Sequence, residues 1–272
     1  MFDYHIHSNV SHDAYDSPVR VAMAAKEKGF AEICFTEHQE IDYPYPEEGM
    51  VTLDDALYDR ELRKARERVP GIGIKKGVEV SLMPGSLQKI AGYIGSREFD
   101  FVIASQHTIK EKDPYFGDSF EGKTLRQAQR EYLEEMLFDL EHHEDFDVAG
   151  HIGYLDKYLP NIDSLKEKTP FEYRDFPDLL DAILKSVILR GKGIEVNTSN
   201  YSVYEWPTPI KSVLKRFYEL GGEVVTVGSD AHVADKVGWR FADAAEYMKE
   251  CGARYVCRFS GRVPEFVPLE KF

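Results

Sequence analysis

The sequence predicts an α/β protein whose parallel strands close into a barrel, folded as a single domain over residues 1–272. Three observations carry this expectation. Short apolar runs alternate with longer amphipathic stretches from end to end, the pattern of β–α units joined by right-handed crossovers. Seven such units and a weaker eighth suit a closed barrel better than an open sheet wound on both faces. No Pro/Gly/Ser linker, composition shift or low-complexity tract divides the chain. With 272 residues, 43% of them hydrophobic, it can bury most of its apolar surface without disulfides.

The expected strands are 2–7, 32–36, 72–80, 101–107, 147–151, 193–197 and 224–228, with 255–259 as the weaker eighth. Of the helices between them, 19–28 opens on an N-cap serine, Ser17, and a first-turn proline, Pro18, and closes at Gly29. Helix 125–143 follows the capping pattern Thr124-x-x-Gln127 and repeats Leu133, Met136, Leu137 and Leu140 at helical spacing. Helix 210–220 stops at Gly221 and Gly222, and helix 241–249 stops before Gly252. Segments 39–50, 108–122, 152–176 and 199–209 are long, irregular and rich in Tyr, Phe, Pro and charge. In a barrel they follow the strands on the active-site face and wall a pocket there.

A balance of 34 basic against 48 acidic residues gives −14, a surface that repels a phosphate backbone and argues against nucleic-acid partners. An interior metal site can still be locally cationic. No apolar run approaches the roughly 18 residues of a membrane span, and no basic-then-apolar leader opens the chain, so a cytoplasmic protein is expected. Cys34, Cys251 and Cys257 are widely spaced and read as reduced thiols without a metal or redox role. Neither a Gly-x-Ser-x-Gly elbow nor a P-loop is present.

Of nine histidines, His142 and His143 close a helix, where imidazolium complements the helix dipole. Nearly all of the other seven, His5, His7, His12, His38, His107, His151 and His232, fall at or just past strand ends, a position scattered histidines would not choose repeatedly. His5 and His7, two apart on one strand, point to one face and can converge on one ion. Asp3 shares that face and is placed to orient an imidazole. Glu79 ends an apolar strand where a buried carboxylate calls for a cation. Asp230 and His232 follow another in Gly-Ser-Asp-Ala-His. The set His5, His7, His12, His38, Glu79, His107, His151, Asp230 and His232 is too large for one ion with open positions. Two or three divalent ions are therefore expected, with zinc first and manganese or iron as alternatives.

These motifs together resemble the polymerase-and-histidinol-phosphatase (PHP) superfamily, in its histidinol-phosphatase branch. They read Asp3-Tyr4-His5-Ile6-His7-Ser8, Ser11-His12-Asp13, Thr36-Glu37-His38, Gly77-Val78-Glu79, Ser105-Gln106-His107, Gly150-His151 and Gly228-Ser229-Asp230-Ala231-His232, in family order from residue 3 to residue 232. The resemblance implies a distorted (β/α)7 TIM-like barrel carrying a trinuclear centre. It assigns His5, His7, Glu79 and Asp230 to one metal, Glu79, His107 and His151 to a second, and His12, His38 and His232 to a third. It implies hydrolysis of histidinol phosphate in histidine biosynthesis by a metal-bound hydroxide, with His5, His7, Glu79, Asp230 and His232 carrying catalysis.

Two arginines that the branch turns toward the phosphate are missing in register: Asp156 and Ser202 stand at those positions. Lys157, Ser202 and Arg240 are the substrate contacts expected in their place, with Arg174 a further basic candidate. Three divalent ions against two carboxylates leave a strongly cationic centre, which suits a small phosphate monoester dianion. Glu37 and Asp13 flank ligands and are read as orienting histidines or supplying the acid. Acidic loop residues Asp42, Glu47 and Asp156 could receive a cationic leaving group. A PHP-type phosphodiesterase or exonuclease, and a phosphatase for another small metabolite, are the alternatives.

Overall fold

The computed structural model of the chain describes residues 1–45 and 52–272; the expected loop 39–50, including Glu47, lies partly outside them. Seven parallel strands follow one another in chain order: β1 (Phe2–Ile6), β2 (Glu32–Gln39), β3 (Gly73–Ser81), β4 (Phe101–Ser105), β5 (Val148–Ala149), β6 (Gly193–Asn197) and β7 (Val225–Gly228). Helices α1 (Pro18–Glu27), α2 (Asp55–Arg68), α3 (Leu87–Gly95), α4 (Leu125–His142), α5 (Pro177–Leu189) and α6 (Lys211–Glu219) connect them, and α7 (Phe241–Glu250) follows β7. The barrel strands are buried almost throughout, since helices cover their outer face and side chains fill the inner one. This is the distorted seven-stranded barrel that the sequence and its resemblance led us to expect.

Local signals act as read. The Ser17 side chain accepts from the Arg20 N–H and Pro18 opens α1, while Thr124 and Gln127 cap each other at the start of α4. One reading of that helix needs correction. His143 is its C-cap, but the ring is buried and lies against Phe146, and burial pushes its pKa down. It packs as a neutral ring, so it does not serve as a cation on the helix dipole.

The barrel closes past its strand ends. β1 and β7 form no ladder; instead Ile6 bridges to Ala231, the Asp230 N–H donates to the His5 carbonyl at 2.7 Å, and the His7 N–H donates to the Ala231 carbonyl at 2.9 Å. Asp230 adopts φ 53° to make this seam.

The run at 255–259 is not an eighth barrel strand. β8 (Tyr255–Ser260) turns at Gly261 and Arg262 and pairs antiparallel with β9 (Val263–Pro268), a strand that the sequence reading did not include. With the seam already closed at Ala231, no barrel edge is left for it. The hairpin lies under the barrel floor. Phe259 packs 4.8 Å from Phe101 between ring centroids, and its carbonyl accepts from the Tyr4 hydroxyl at 2.8 Å. The Arg262 guanidinium grips Asp147 at 2.5 Å and Asp145 at 3.1 Å.

Gly228 ends β7 against the ligand-bearing strand. A Cβ there would stand 2.3 Å from His5 Cβ and 2.4 Å from Glu195 Oε1. Gly228→Ala is expected to destabilise the fold by about 1–3 kcal/mol, read as a fall in Tm by calorimetry. An unchanged Tm would refute this packing.

Candidate metal centre

The inward faces of the strand ends supply the site. β1 directs His5 inward and His7 follows two residues on, both fully buried. Parallel register sets His38 on β2 beside Glu79 on β3. His107, His151 and Asp230 follow β4, β5 and β7. Glu79 is the hub: its oxygens lie 3.2 Å from His5 Nε2, 3.5 Å from His7 Nε2, 2.9 Å from His38 Nδ1, 3.3 Å from His107 Nε2 and 2.9 Å from His151 Nε2.

These distances have the geometry of ligands around ions. Asp230 Oδ1 stands 3.6 Å from His5 Nε2 and 3.3 Å from His7 Nε2. With the two Glu79 contacts, four edges of 3.2–3.6 Å surround one point. Ligands of a tetrahedral ion with ~2.05 Å bonds lie ~3.3 Å apart. A second group unites Glu79 Oε1, His107 Nε2 and His151 Nε2, the two nitrogens 3.4 Å apart. His7, His38 and His232 form a further cluster. Yet His5 Nε2, His7 Nε2, His38 Nδ1 and Glu79 Oε2 are buried without a hydrogen-bond partner. Their short approaches are lone pairs aimed at shared points, an arrangement that cations satisfy. The donor set fits divalent ions. Eight of the nine expected ligands thus converge; His12 lines the same cavity with its ring 6.0 Å from His38.

A supporting layer escaped the sequence reading. Glu195 on β6 accepts from His5 Nδ1 at 2.5 Å and from the His151 N–H at 3.0 Å. Glu40 holds His107 Nδ1 at 2.7 Å, and the Ser105 hydroxyl donates to Glu79 at 2.6 Å. Asn197 and Ser199 donate to Asp230 at 3.3 and 3.1 Å. Glu40 stands two residues after His38, and Glu195 two before Asn197, so the strand period of two could have flagged both.

Three expected orienting roles resolve differently. Asp3 touches no imidazole: it accepts from the Ser229 N–H at 3.0 Å and hydroxyl, and from the Gly238 N–H at 2.9 Å, fastening the segment after β7. Glu37 collects the backbone and hydroxyl donors of Ser8 and Ser11 and shapes the turn before His12. Asp13 does meet imidazoles, at 3.0 Å from His232 Nε2 and 3.5 Å from His38 Nε2.

Burial opposes charge on each of these groups, and their neighbours decide the outcome. Burial would raise Glu79, but His5, His107 and His38 hold it well below the usual carboxylate range. Burial would lower His5 and His107, but Glu195 with Glu79 lifts His5 far up, and Glu40 with Glu79 brings His107 to about 10. His7, buried beside His38 and His232, falls well below its ordinary value. Without metal, the cluster retains protons as its positive charge.

The ligands open into a cavity of about 550 Å³. Lys157 lines it, with Nζ 3.3 Å from the Ser199 hydroxyl, and is its one lysine or arginine among the described residues. The other expected substrate contacts lie elsewhere. Ser202 is exposed on a 3-10 turn, and Arg240 pairs with Asp243 at 2.6 Å over the Tyr201 ring in a separate surface groove. Arg174 is exposed beside Glu172. Asp156 is buried and turned away, accepting from Gln129 and the Phe171 N–H. Asp42 is held outside the cavity by Lys89 and Ser86.

Residues 3–199 match the sequence model of the PHP domain family. The chain is 31% identical over 262 residues to the histidinol-phosphatase of Lactococcus lactis subsp. lactis, covering 95% of this chain and 94% of that protein. It is 30% identical over 258 residues to a protein of Clostridium acetobutylicum named probable histidinol-phosphatase, covering 94% and 96%. The crystal structure of histidinol phosphate phosphatase from Lactococcus lactis, complexed with zinc, L-histidinol and phosphate, superposes with a TM-score of 0.84 at 29% identity, over 97% of this chain and 98% of that one.

Because His107 carries a proton below about pH 10 in the metal-free site, protons compete with metal there. Apparent zinc affinity is expected to rise with pH from 5 to 8, by about tenfold per unit for each proton displaced. Competition with a chromophoric chelator measures it, and a flat profile contradicts the arrangement. Glu195→Gln is expected to weaken zinc binding by about 10–100-fold in the same assay.

Proposed function

From the premise that the chain belongs to the PHP domain family and is a phosphatase, we propose that it hydrolyses histidinol phosphate to histidinol and phosphate with divalent metal ions, zinc foremost. Residues 1–272 act as one catalytic unit in this reading. The observation that carries it is the convergence of five imidazoles on buried Glu79 at the mouth of the barrel.

His5, His7, Glu79 and Asp230 would hold one ion, Glu79, His107 and His151 a second, and His12, His38 and His232 a third. When bound, the ions supply an activated water near neutral pH and neutralise charge on the phosphoryl group. The protein's part is to fix their ligands and receive the substrate. Glu195 and Glu40 engage Nδ1 of His5 and His107, so each ring turns Nε2 toward the cluster. Lys157 stands beside Ser199 and Asp230, where its ammonium attracts a dianion entering the cavity. Tyr154 lies 4.9 Å from the His107 ring and 5.0 Å from that of His151, covering them from solvent. Neither candidate acid suits the leaving alkoxide. Glu37 is fully committed to Ser8 and Ser11. Although burial raises the Asp13 pKa, His38 and His232 outweigh it and keep the group ionised.

Cys34, Cys251 and Cys257 are free and buried, which supports a reducing, cytoplasmic setting. No helix among the described residues is long and apolar enough to cross a membrane.

The metal-loaded protein is expected to release phosphate from histidinol phosphate, to lose activity to a chelator and to regain it with zinc. Glu79→Ala is expected to lower kcat/KM by about a thousandfold or more, since it removes a ligand common to two ions. Full activity in that variant, or a strong preference for oligonucleotides over monoesters, would overturn the assignment.

A further inference from the structure

We propose that Asp113 is the counter-charge for a cationic leaving group, seated in an aromatic corner of the cavity that Lys157 also lines. The inference deepens the phosphatase reading and rests on it. The residues that line the cavity fall into two chemical sets. The metal ligands and Lys157 form one, suited to a phosphoryl dianion. Asp113 with Tyr43, Tyr115 and Phe116 forms the other, and Glu40, which holds His107, stands between the two.

Asp113 is only 5% exposed, yet its carboxylate meets neutral donors alone. The Tyr43 hydroxyl donates to Oδ2 and the Tyr115 N–H to Oδ1, both at 2.8 Å. A carboxylate oxygen accepts two hydrogen bonds, so each retains capacity. Glu40 Oε2 is buried nearby with no partner, while its Oε1 is occupied by His107. Among the described residues no lysine or arginine forms an ion pair with Asp113, and 46–51 contain neither residue. Burial raises the Asp113 pKa, and a ligand cation beside the carboxylate would favour its ionised form and compensate the charge.

The surrounding geometry is preformed. The Asp113 N–H donates to the Tyr45 hydroxyl at 3.2 Å, and the Tyr45 ring lies 4.3 Å from that of Phe116. Tyr115 is 64% exposed and Phe116 38%, so both rings keep aromatic surface at the rim that a cation can approach. An alcohol bearing an ammonium or imidazolium a few bonds from its phosphate would engage both sets. A neutral alcohol would leave Asp113 uncompensated.

The test compares kcat/KM for histidinol phosphate with that for p-nitrophenyl phosphate, whose leaving group carries no cation. Taking this ratio within each zinc-loaded variant cancels any loss common to both esters. Asp113→Asn is expected to lower the ratio about ten- to a hundredfold, mainly through KM for histidinol phosphate. Tyr115→Leu, at a mostly exposed position, keeps the test available should Asp113→Asn fail to fold; about a two- to fivefold fall is expected. Unchanged ratios in both variants overturn the leaving-group inference and leave the phosphatase reading standing. A wild-type enzyme that hydrolyses p-nitrophenyl phosphate but not histidinol phosphate overturns both this inference and the substrate assignment. Failure on both esters sinks the phosphatase reading itself.

Discussion

Glu79 has no solvent access and faces imidazole nitrogens at 2.9–3.5 Å from five directions. Groups so arranged need positive charge between them, as protons or as metal ions. The rest of the molecule answers that requirement. Parallel strands bring their C-terminal ends to one level, so residues far apart in the chain meet. The hairpin and the Tyr4–Phe101–Phe259 cluster seal the level below. Buried acceptors such as Glu195 and Glu40 fix each ring, so the centre is held by a scaffold and not by the ligands alone.

Closure of the barrel and assembly of the centre use the same few residues. The seam between first and last strands is made by the backbone of His5, His7, Asp230 and Ala231, three of which are expected ligands. Asp3 reinforces it by holding Ser229 and Gly238. Ions held by these side chains would link β1 and β7 where their own ladder is absent, and metal content would then be coupled to barrel integrity.

Much of this was legible in the sequence, for identifiable reasons. Apolar strands with a ligand-type residue at each end are local signals, and they located the barrel and the nine expected ligands. What stayed hidden depends on which way a side chain turns once the chain has closed. Glu40 and Glu195 read as ordinary acidic residues until His107 and His5 are seen against them. Asp3 precedes a register shift in β1, which breaks the alternation expected to set it beside His5, and it reaches backbone donors of the segment after β7. Ser202, Arg240 and Asp156 occupy plausible positions and point away from the cavity. Asp113 carries no motif, and its setting emerges only from the packing of two loops. The run at 255–259 had the composition of a strand, but nothing local states that the sheet is already complete.

The plug under the barrel bears on traffic through the site. Phe259 and Arg262 pack beneath the strands, and among the described residues the cavity lined by the ligands lies at the opposite end of the barrel. In the proposed reaction, a substrate seated with its phosphate on the buried ligands would hold its alcohol nearer the mouth of that cavity. The alcohol would then leave first, and inorganic phosphate would compete with incoming substrate for the innermost seat.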